Sequence, residues 1–308
     1  MKLVCYTTFM HNFGNYLVAL SIGSLISVMV VLNTILGQET SMALSFIINH
    51  LIGIVVITLI LIVLRFTKGK PTRQKAPWYL YGGGIFGFLI LNSNYITIIN
   101  IGASLSMATA VFGQSLGSLL FDLFGFMGAK TYKLNKRKVI LLAISLIGII
   151  IMSLGGGAYS ILYIIIGIAT GVITMIQMVY NAKLARLKGN LFSARNNVLS
   201  GLIVALIVYL FFSPSDIINS ATNLKNLSFS IIYGGGLLAI LVVVGSNFVI
   251  GRIPTLYNAL LLSSAQILTS VVLDFVMFDI FSITLLVGSL IVLLGTAGSI
   301  IVEEVKES

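Results

Sequence analysis

The chain has 308 residues, of which 58% are hydrophobic and 8% charged, with a net charge of +10 and a mean hydropathy of +1.11. A soluble protein carries charge on about a quarter of its residues, so a water-facing globule is excluded. The alternating pattern of a membrane β-barrel is absent too. The cations sit in short segments between apolar runs, where membrane orientation explains them and nucleic-acid binding is not needed.

In chain order, apolar runs predict helical spans at 12–36, 41–64, 78–98, 102–125 and 138–157. Five more follow at 160–182, 196–213, 230–250, 255–277 and 280–301. Each is long enough to cross a hydrocarbon core of about 30 Å as helix. The first run is too long for a signal peptide and lacks a small-residue cleavage site, so it reads as a retained span. Cys5 is the single cysteine, which rules out an intrachain disulfide. Trp78, Tyr79 and Tyr81 open the third span as an interfacial anchor would. No segment is long or polar enough for a separate soluble domain.

The loops set the orientation. Arg65, Lys68, Lys70, Arg73 and Lys75 fill one loop, and Lys130, Lys133, Lys136, Arg137 and Lys138 fill another. Lys183, Arg186, Lys188, Arg195 and Arg252 continue the series, while the alternate loops hold Glu39, Asp216, Lys225 and Asp279. Positive charge stays on the cytoplasmic side. A multi-pass protein with both termini in the cytoplasm is expected.

The chain also repeats itself. "YGGGIFGF" from Tyr81 and "YGGGLLAI" from Tyr233 are offset by 152, as are Gln114 and Gln266, Ser118 and Ser270, and Asp122 and Asp274. "SNY" at Ser93 and "SNF" at Ser246 are one residue out of step. Asn33 with Asn181, Asn49 with Asn197 and Gly53 with Gly201 agree at 148. The expected organisation is therefore one five-helix unit over residues 1–158 and a second over 159–308. An odd helix count inverts the second unit in the membrane, the usual build of secondary transporters with a midplane site. The fold class expected is an all-α membrane protein of ten spans in two inverted repeats.

A step of four residues keeps side chains on one helix face. Ser106, Ala110, Gln114, Ser118 and Asp122 form one row, and Asn258, Leu262, Gln266, Ser270 and Asp274 its counterpart. Polar groups facing lipid are costly, so both rows should face the interior. Gln114, Gln266, Asn94, Asn247, Ser118 and Ser270 are the candidate substrate contacts. Asp122 and Asp274 fall near opposite membrane faces and are candidates for gating or coupling, as is His50. The plain alternatives are interhelical hydrogen bonds for the amides and serines, interfacial anchoring for the aspartates and a structural role for His50. Asn33, Asn49, Asn181 and Asn197 can each bond a ligand or a neighbouring helix. Gly83 with Gly87, Gly113 with Gly117 and Gly167 with Gly171 are small-residue pairs that bring helices close. The "GGG" runs at 82–84 and 234–236 read as hinges.

No metal spacing, phosphate loop or nucleophile elbow is present. No enzyme activity and no cofactor are expected.

Five-plus-five spans and the segment "YGGGIFGF…NIGASLSMATAVFGQSLGSLLFDLFG" resemble the drug/metabolite transporter (DMT) superfamily. Within it the match is to the YdcZ-type family of inner-membrane exporters, in a fused two-repeat form. The resemblance is weaker in the second half, where "AQ" at Ala265–Gln266 stands for "GQ". It implies an EmrE-like transporter fold, an inner-membrane location and export. Small multidrug resistance proteins of the same superfamily bind cations through a carboxylate in the first helix, but neither 12–36 nor 160–182 holds an acid. A small polar, neutral or zwitterionic metabolite is therefore the expected substrate, carried by a monomer or homodimer in the bilayer. A proton-coupled cation exporter using Asp122 and Asp274, or a scaffold that transports nothing, are the alternatives.

Overall fold

The computed structural model describes residues 2–68, 74–125, 136–155, 161–249, 252 and 255–304. Among these residues the regular structure is helical throughout, with no strand. Lipid offers a backbone no hydrogen-bond partner, so a chain this apolar must satisfy its N–H and C=O groups within each helix.

The helices are α1 (Lys2–Glu39), α2 (Met42–Lys68), α3 (Gly83–Phe124), α4 (Lys136–Gly155) and α5 (Ile161–Lys188). They continue with α6 (Asn190–Phe212), α7 (Pro214–Ala221), α8 (Phe229–Val249), α9 (Thr255–Phe278) and α10 (Ile283–Glu304). Short 3-10 turns precede α3 at Trp78–Gly82 and α8 at Thr222–Asn226. Seven helical stretches among the described residues are long and apolar enough to cross a bilayer. An eighth candidate is the α7–α8 pair, bent by 111°, and α10 supplies a shorter apolar helix over Ile283–Ser299.

α3 is broken at Gly102, whose φ of 77° and ψ of 167° lie outside the helical region. Glycine has no Cβ to oppose a positive φ. The two halves, 83–101 and 103–124, fold back on one another. Thr97 and Ser106 share a 2.6 Å hydrogen bond between their hydroxyls, whereas nine residues along a straight helix span about 13 Å. Gln177 of α5 lies against Gly87 in the first half, and Met175, two residues away, lies against Gly117 in the second. This hairpin forms the interior of the bundle: 78% of its most apolar window is buried, against 17–39% for the other spans.

Around it, α5 packs on α3, and α1 packs on α8 and α9. α2 packs on α6 and α8, α6 also packs on α3, and α4 pairs with α10. Glycines set the closest crossings. Gly113 and Gly171 meet so closely that a Cβ at Gly113 would lie 3.0 Å from the Gly171 Cα. Gly148 and Gly288 abut across α4 and α10, where a Cβ on either would lie within 2.8 Å of the other's carbonyl oxygen. The glycines of the two "YGGG" runs are also contact points. Gly83 and Gly84 open α3 and Gly234–Gly236 lie inside α8, so in this conformation they are helical positions.

The largest buried apolar cluster joins Ile101, Leu105, Phe112, Leu142, Ile149, Ile267 and Val292 from α3, α4, α9 and α10. A second joins Val30, Val31, Ile98, Ala103 and Met107 between α1 and α3. Large apolar side chains such as Val55, Leu59, Ile207, Val272 and Leu294 remain exposed on the outer faces of their helices. That is the surface a lipid phase accepts.

A candidate binding pocket and its internal counterpart

Where α1 ends and α2 begins, polar side chains face one another across a narrow cleft. α1 contributes Val30, Asn33 and Thr34, α2 contributes Met42, Ser45, Phe46 and Asn49, and the first half of α3 contributes Leu91, Asn92, Asn94 and Tyr95. None of these lining residues is ionisable at neutral pH.

The hydrogen bonds are lopsided. The Ser45 hydroxyl donates to the Asn33 backbone carbonyl at 2.7 Å, and Asn49 Nδ2 donates to the Ser45 carbonyl at 2.8 Å. Asn92 is satisfied at both ends, donating to the Phe88 carbonyl at 2.6 Å and accepting from the Tyr209 hydroxyl. The side-chain oxygens of Asn33 and Asn49 are buried and have no partner. Both converge on Gly235 of α8, where a Cβ would fall 1.6 Å from Asn33 Oδ1 and 3.0 Å from Asn49 Oδ1. Burying an acceptor without a donor costs about 1–3 kcal/mol, so this arrangement is not one that packing alone favours.

The same residues recur 148 positions later with a different outcome. Ser193 donates to the Asn181 carbonyl at 2.8 Å, as Ser45 does to Asn33. Asn181 Oδ1 and Asn197 Oδ1 converge on Gly83, at 2.7 and 3.3 Å from where its Cβ would stand. Here a donor is built in. Gln177 Nε2 donates to Asn197 Oδ1 at 3.0 Å and to the Gly83 carbonyl at 3.3 Å. The position 148 residues before Gln177 is Met29, which has no hydrogen to donate. The amide also needs the open side of Gly87, whose Cβ would lie 2.8 Å from Gln177 Nε2. The position 152 residues after Gly87 is Ala239.

A third polar constellation closes the α3 break. Asp274 of α9 is 1% exposed. One carboxylate oxygen accepts the Ala103 N–H at 2.7 Å. The other accepts the Ser104 N–H at 2.7 Å and the Ser104 hydroxyl. A helix start leaves its first N–H groups unpaired, and a carboxylate is the best complement to the positive end of the helix dipole. Asp274 is thus an N-cap supplied from another helix. Its own position is fixed by the end of α9, where the Ile280 N–H returns to the Asp274 carbonyl at 2.9 Å and Asp279 adopts a φ of 54°.

The remaining sequence candidates are dispersed. Asn94 lines the pocket and is buried. Gln266 Nε2 lies 3.4 Å from Met107 Sδ, and its backbone carbonyl accepts the Ser27 hydroxyl at 2.6 Å. Met107 shares an apolar layer with Val30, so Gln266 stands one layer away from the pocket wall. The backbone of Gln114 is pressed against Gly171. Ser270 is fully buried and donates back to the Ile267 carbonyl of its own helix at 2.7 Å. Ser118 accepts from Lys138 Nζ at 3.5 Å. His50 is buried, stacked on Phe46 at 3.8 Å between ring centroids, with Nδ1 3.0 Å from the Phe46 carbonyl. The side chains of Asp122 and Asn247 lie outside the described residues.

Sequence reasoning named Asn33, Asn49, Asn181 and Asn197 as repeated polar residues but did not join them into clusters. It passed over Thr34, Asn92, Tyr95 and Gln177, and it counted Lys138 with its basic loop although that lysine is 3% exposed. Ser45 and Ser193 also stand 148 apart, a match that would have extended the repeat signal to this pocket.

Comparison with known proteins follows the same two-copy pattern. A family profile described as "Putative inner membrane exporter, YdcZ" matches residues 15–151 and again residues 162–300. The chain belongs to this family, within the drug/metabolite transporters, in a two-repeat form. It is a multi-pass inner-membrane protein of exporter type. Comparison with curated proteins finds no match. A solved structure described as "Crystal structure of protein" is similar in fold, with a TM-score of 0.56 and 16% identity over 96% of this chain and 98% of that one.

Proposed function

We propose that this member of the YdcZ exporter family is a secondary transporter that exports a small polar, neutral or zwitterionic metabolite by alternating access. The observation that carries the reading is the α1–α2 pocket. Its wall holds seven polar side chains and no charged one, and two of its buried oxygens have no donor. A cation in such a site would lack a carboxylate partner inside the bilayer, which is costly.

Ten spans complete the proposal: the two halves of α3 count separately at Gly102, and α8 and α10 join the rest. The reading is supported by contacts that occur twice. Gly113 meets Gly171 as Ala265 meets Gly23, and Gly83 meets Asn181 as Gly235 meets Asn33. α1 lies against α8 and α9 as α5 lies against the two halves of α3. With an odd helix number per unit, residues 1–158 and 159–308 are inverted copies. The basic loops then set both termini in the cytoplasm and the pocket in the outer half of the bundle. Gln114, Gln266, Asn247, Ser118 and Ser270 would border the route between the two faces, with the pocket one station along it. Asp274 is proposed as the outer latch, holding α9 to the α3 turn in this conformation. Its hydrogen bonds to helix N–H groups argue against a role as cation ligand.

The test is solute counterflow in proteoliposomes. Neutral and zwitterionic metabolites should exchange saturably and Asn49→Ala should reduce exchange at least tenfold. Saturable exchange of organic cations that Asp274→Asn abolishes would replace this reading with a cation exporter.

A further inference from the structure

Arg195 lies in the second turn of α6 and is partly buried. Its Nε donates to the Thr58 hydroxyl of α2 at 3.0 Å. Among the described residues this hydroxyl is its hydrogen-bond partner, and no carboxylate pairs with it. A guanidinium carries five N–H donors, so both terminal –NH2 groups are left over. Thr58 stands six residues before Leu64, where the apolar stretch of α2 ends, about 9 Å along the helix. The guanidinium is therefore held below the level of the basic loop that follows α2. A cation at such a place is costly unless it finds a partner.

Its surroundings are apolar and open. On α6 a four-residue step from Arg195 reaches Leu199, Ile203 and Ile207, all exposed. On α2 the neighbours of Thr58 include Val55 and Leu59, both exposed as well. The two helices close together at Gly53, where a Cβ would lie 3.3 Å from the Val198 side chain. Between them runs a lipid-facing furrow with a cation at one end, the cytoplasmic end in the proposed orientation. The position 148 residues before Arg195 is Ile47, so the first copy places no cation there.

We infer that the furrow between α2 and α6 is a site for an anionic phospholipid. Its headgroup phosphate accepts from the two –NH2 groups of Arg195, and an acyl chain lies along Val55, Leu59, Leu199 and Ile203. Thr58, by taking Nε, fixes the plane of the fork. A planar guanidinium matches two phosphate oxygens at once. The headgroup reaches it because a bilayer thins locally around an intramembrane cation. Basic sites between spans on the cytoplasmic side take up anionic headgroups in this way. α6 begins with no side-chain cap and no acid in its first turn, so its dipole adds to the same sign. A zwitterionic headgroup would bring an ammonium to a place with no carboxylate to receive it. α2 and α6 belong to different units, so one bound lipid bridges the two. The inference rests on the proposed orientation and not on which solute is carried.

The test is native mass spectrometry of the purified full-length protein in detergent, with no transport step. Dioleoylphosphatidylglycerol and dioleoylphosphatidylcholine are the probes, matched in their chains and different in headgroup charge. The first phosphatidylglycerol should bind about tenfold more tightly than the first phosphatidylcholine. Arg195→Gln should remove that preference. Arg195→Lys keeps the charge without the fork and should weaken phosphatidylglycerol binding about threefold. Arg186→Gln removes an equal charge at the exposed end of α5 and should leave the preference unchanged. An excess of inorganic phosphate should not displace the lipid, because the acyl chain supplies much of the affinity. The inference is overturned if the two lipids bind alike, if Arg186→Gln costs as much as Arg195→Gln, or if inorganic phosphate displaces phosphatidylglycerol. Should Arg195→Gln fold poorly, Arg195→Lys decides, and binding equal to the parent's overturns the inference.

Discussion

Asn49 and Asn197 hold matched places in the two copies, and only one of them is satisfied by its own protein. The pair of oxygens, the serine behind each and the glycine in front of each are common to both. The difference is one side chain, Gln177 against Met29, and one methyl group, Gly87 against Ala239. A duplicated unit thus keeps its acceptors, while one copy pairs one of them with a side-chain donor and the other pairs neither.

The comparison can be broken most severely at the glycines. A Cβ at Gly84 would lie 2.1 Å from the Gly201 nitrogen and 2.3 Å from the Asn197 carbonyl oxygen, both backbone atoms. At the matched Gly236 its three nearest neighbours would be atoms of the Ile52 side chain, at 2.9–3.1 Å, and no backbone atom lies closer. Gly84→Ala should therefore cost more than the roughly 1–3 kcal/mol usual for overpacking, and Gly236→Ala less, as measured by thermal unfolding in detergent. Equal losses would mean that the two crossings are not as different as their contacts.

Next in size is the cap at Gly102. Asp274→Ala leaves the Ala103 and Ser104 N–H groups unpaired and should cost about 1–3 kcal/mol. Asp274→Asn keeps one acceptor and should lose less. Hydrogen exchange at residues 103 and 104 should rise in the alanine variant well above that at mid-helix positions.

The smallest effect sharpens the comparison. Gln177→Met makes the second copy resemble the first and should destabilise by about 0.6 kcal/mol, with about 1.7 as an upper bound for interhelical bonds in membranes. Met29→Gln with Ala239→Gly should stabilise by a similar amount. If both changes are neutral, the Gln177 bond contributes nothing and the clusters are equivalent after all.

Much of the architecture was readable because membrane helices are written in long apolar runs. The repeat was readable because polar residues are rare enough there for matched offsets to stand out. The predicted fourth span even begins at Gly102, where α3 breaks. The site was less legible. A four-residue step correctly places Gln114 and Ser118 on one face, but a face is not a cavity: the Gln114 backbone meets Gly171, and Ser118 meets Lys138. The pocket draws Asn33, Asn49 and Asn94 from three helical segments, a juxtaposition that spacing along one helix cannot express. Likewise Asp274 read as a residue near a membrane face. Its role depends on a helix start 171 residues earlier in the chain.

That distance governs how the chain is made. As the protein emerges from the ribosome, the second half of α3 enters the bilayer long before α9 is synthesised. Its first N–H groups stay without their carboxylate until residue 274 arrives. The first unit is therefore unfinished when its own last helix is complete, and the second unit acts as its final folding partner. A nascent chain truncated before α9 should present the 102–104 turn to proteases and membrane quality control, and the full chain should hide it.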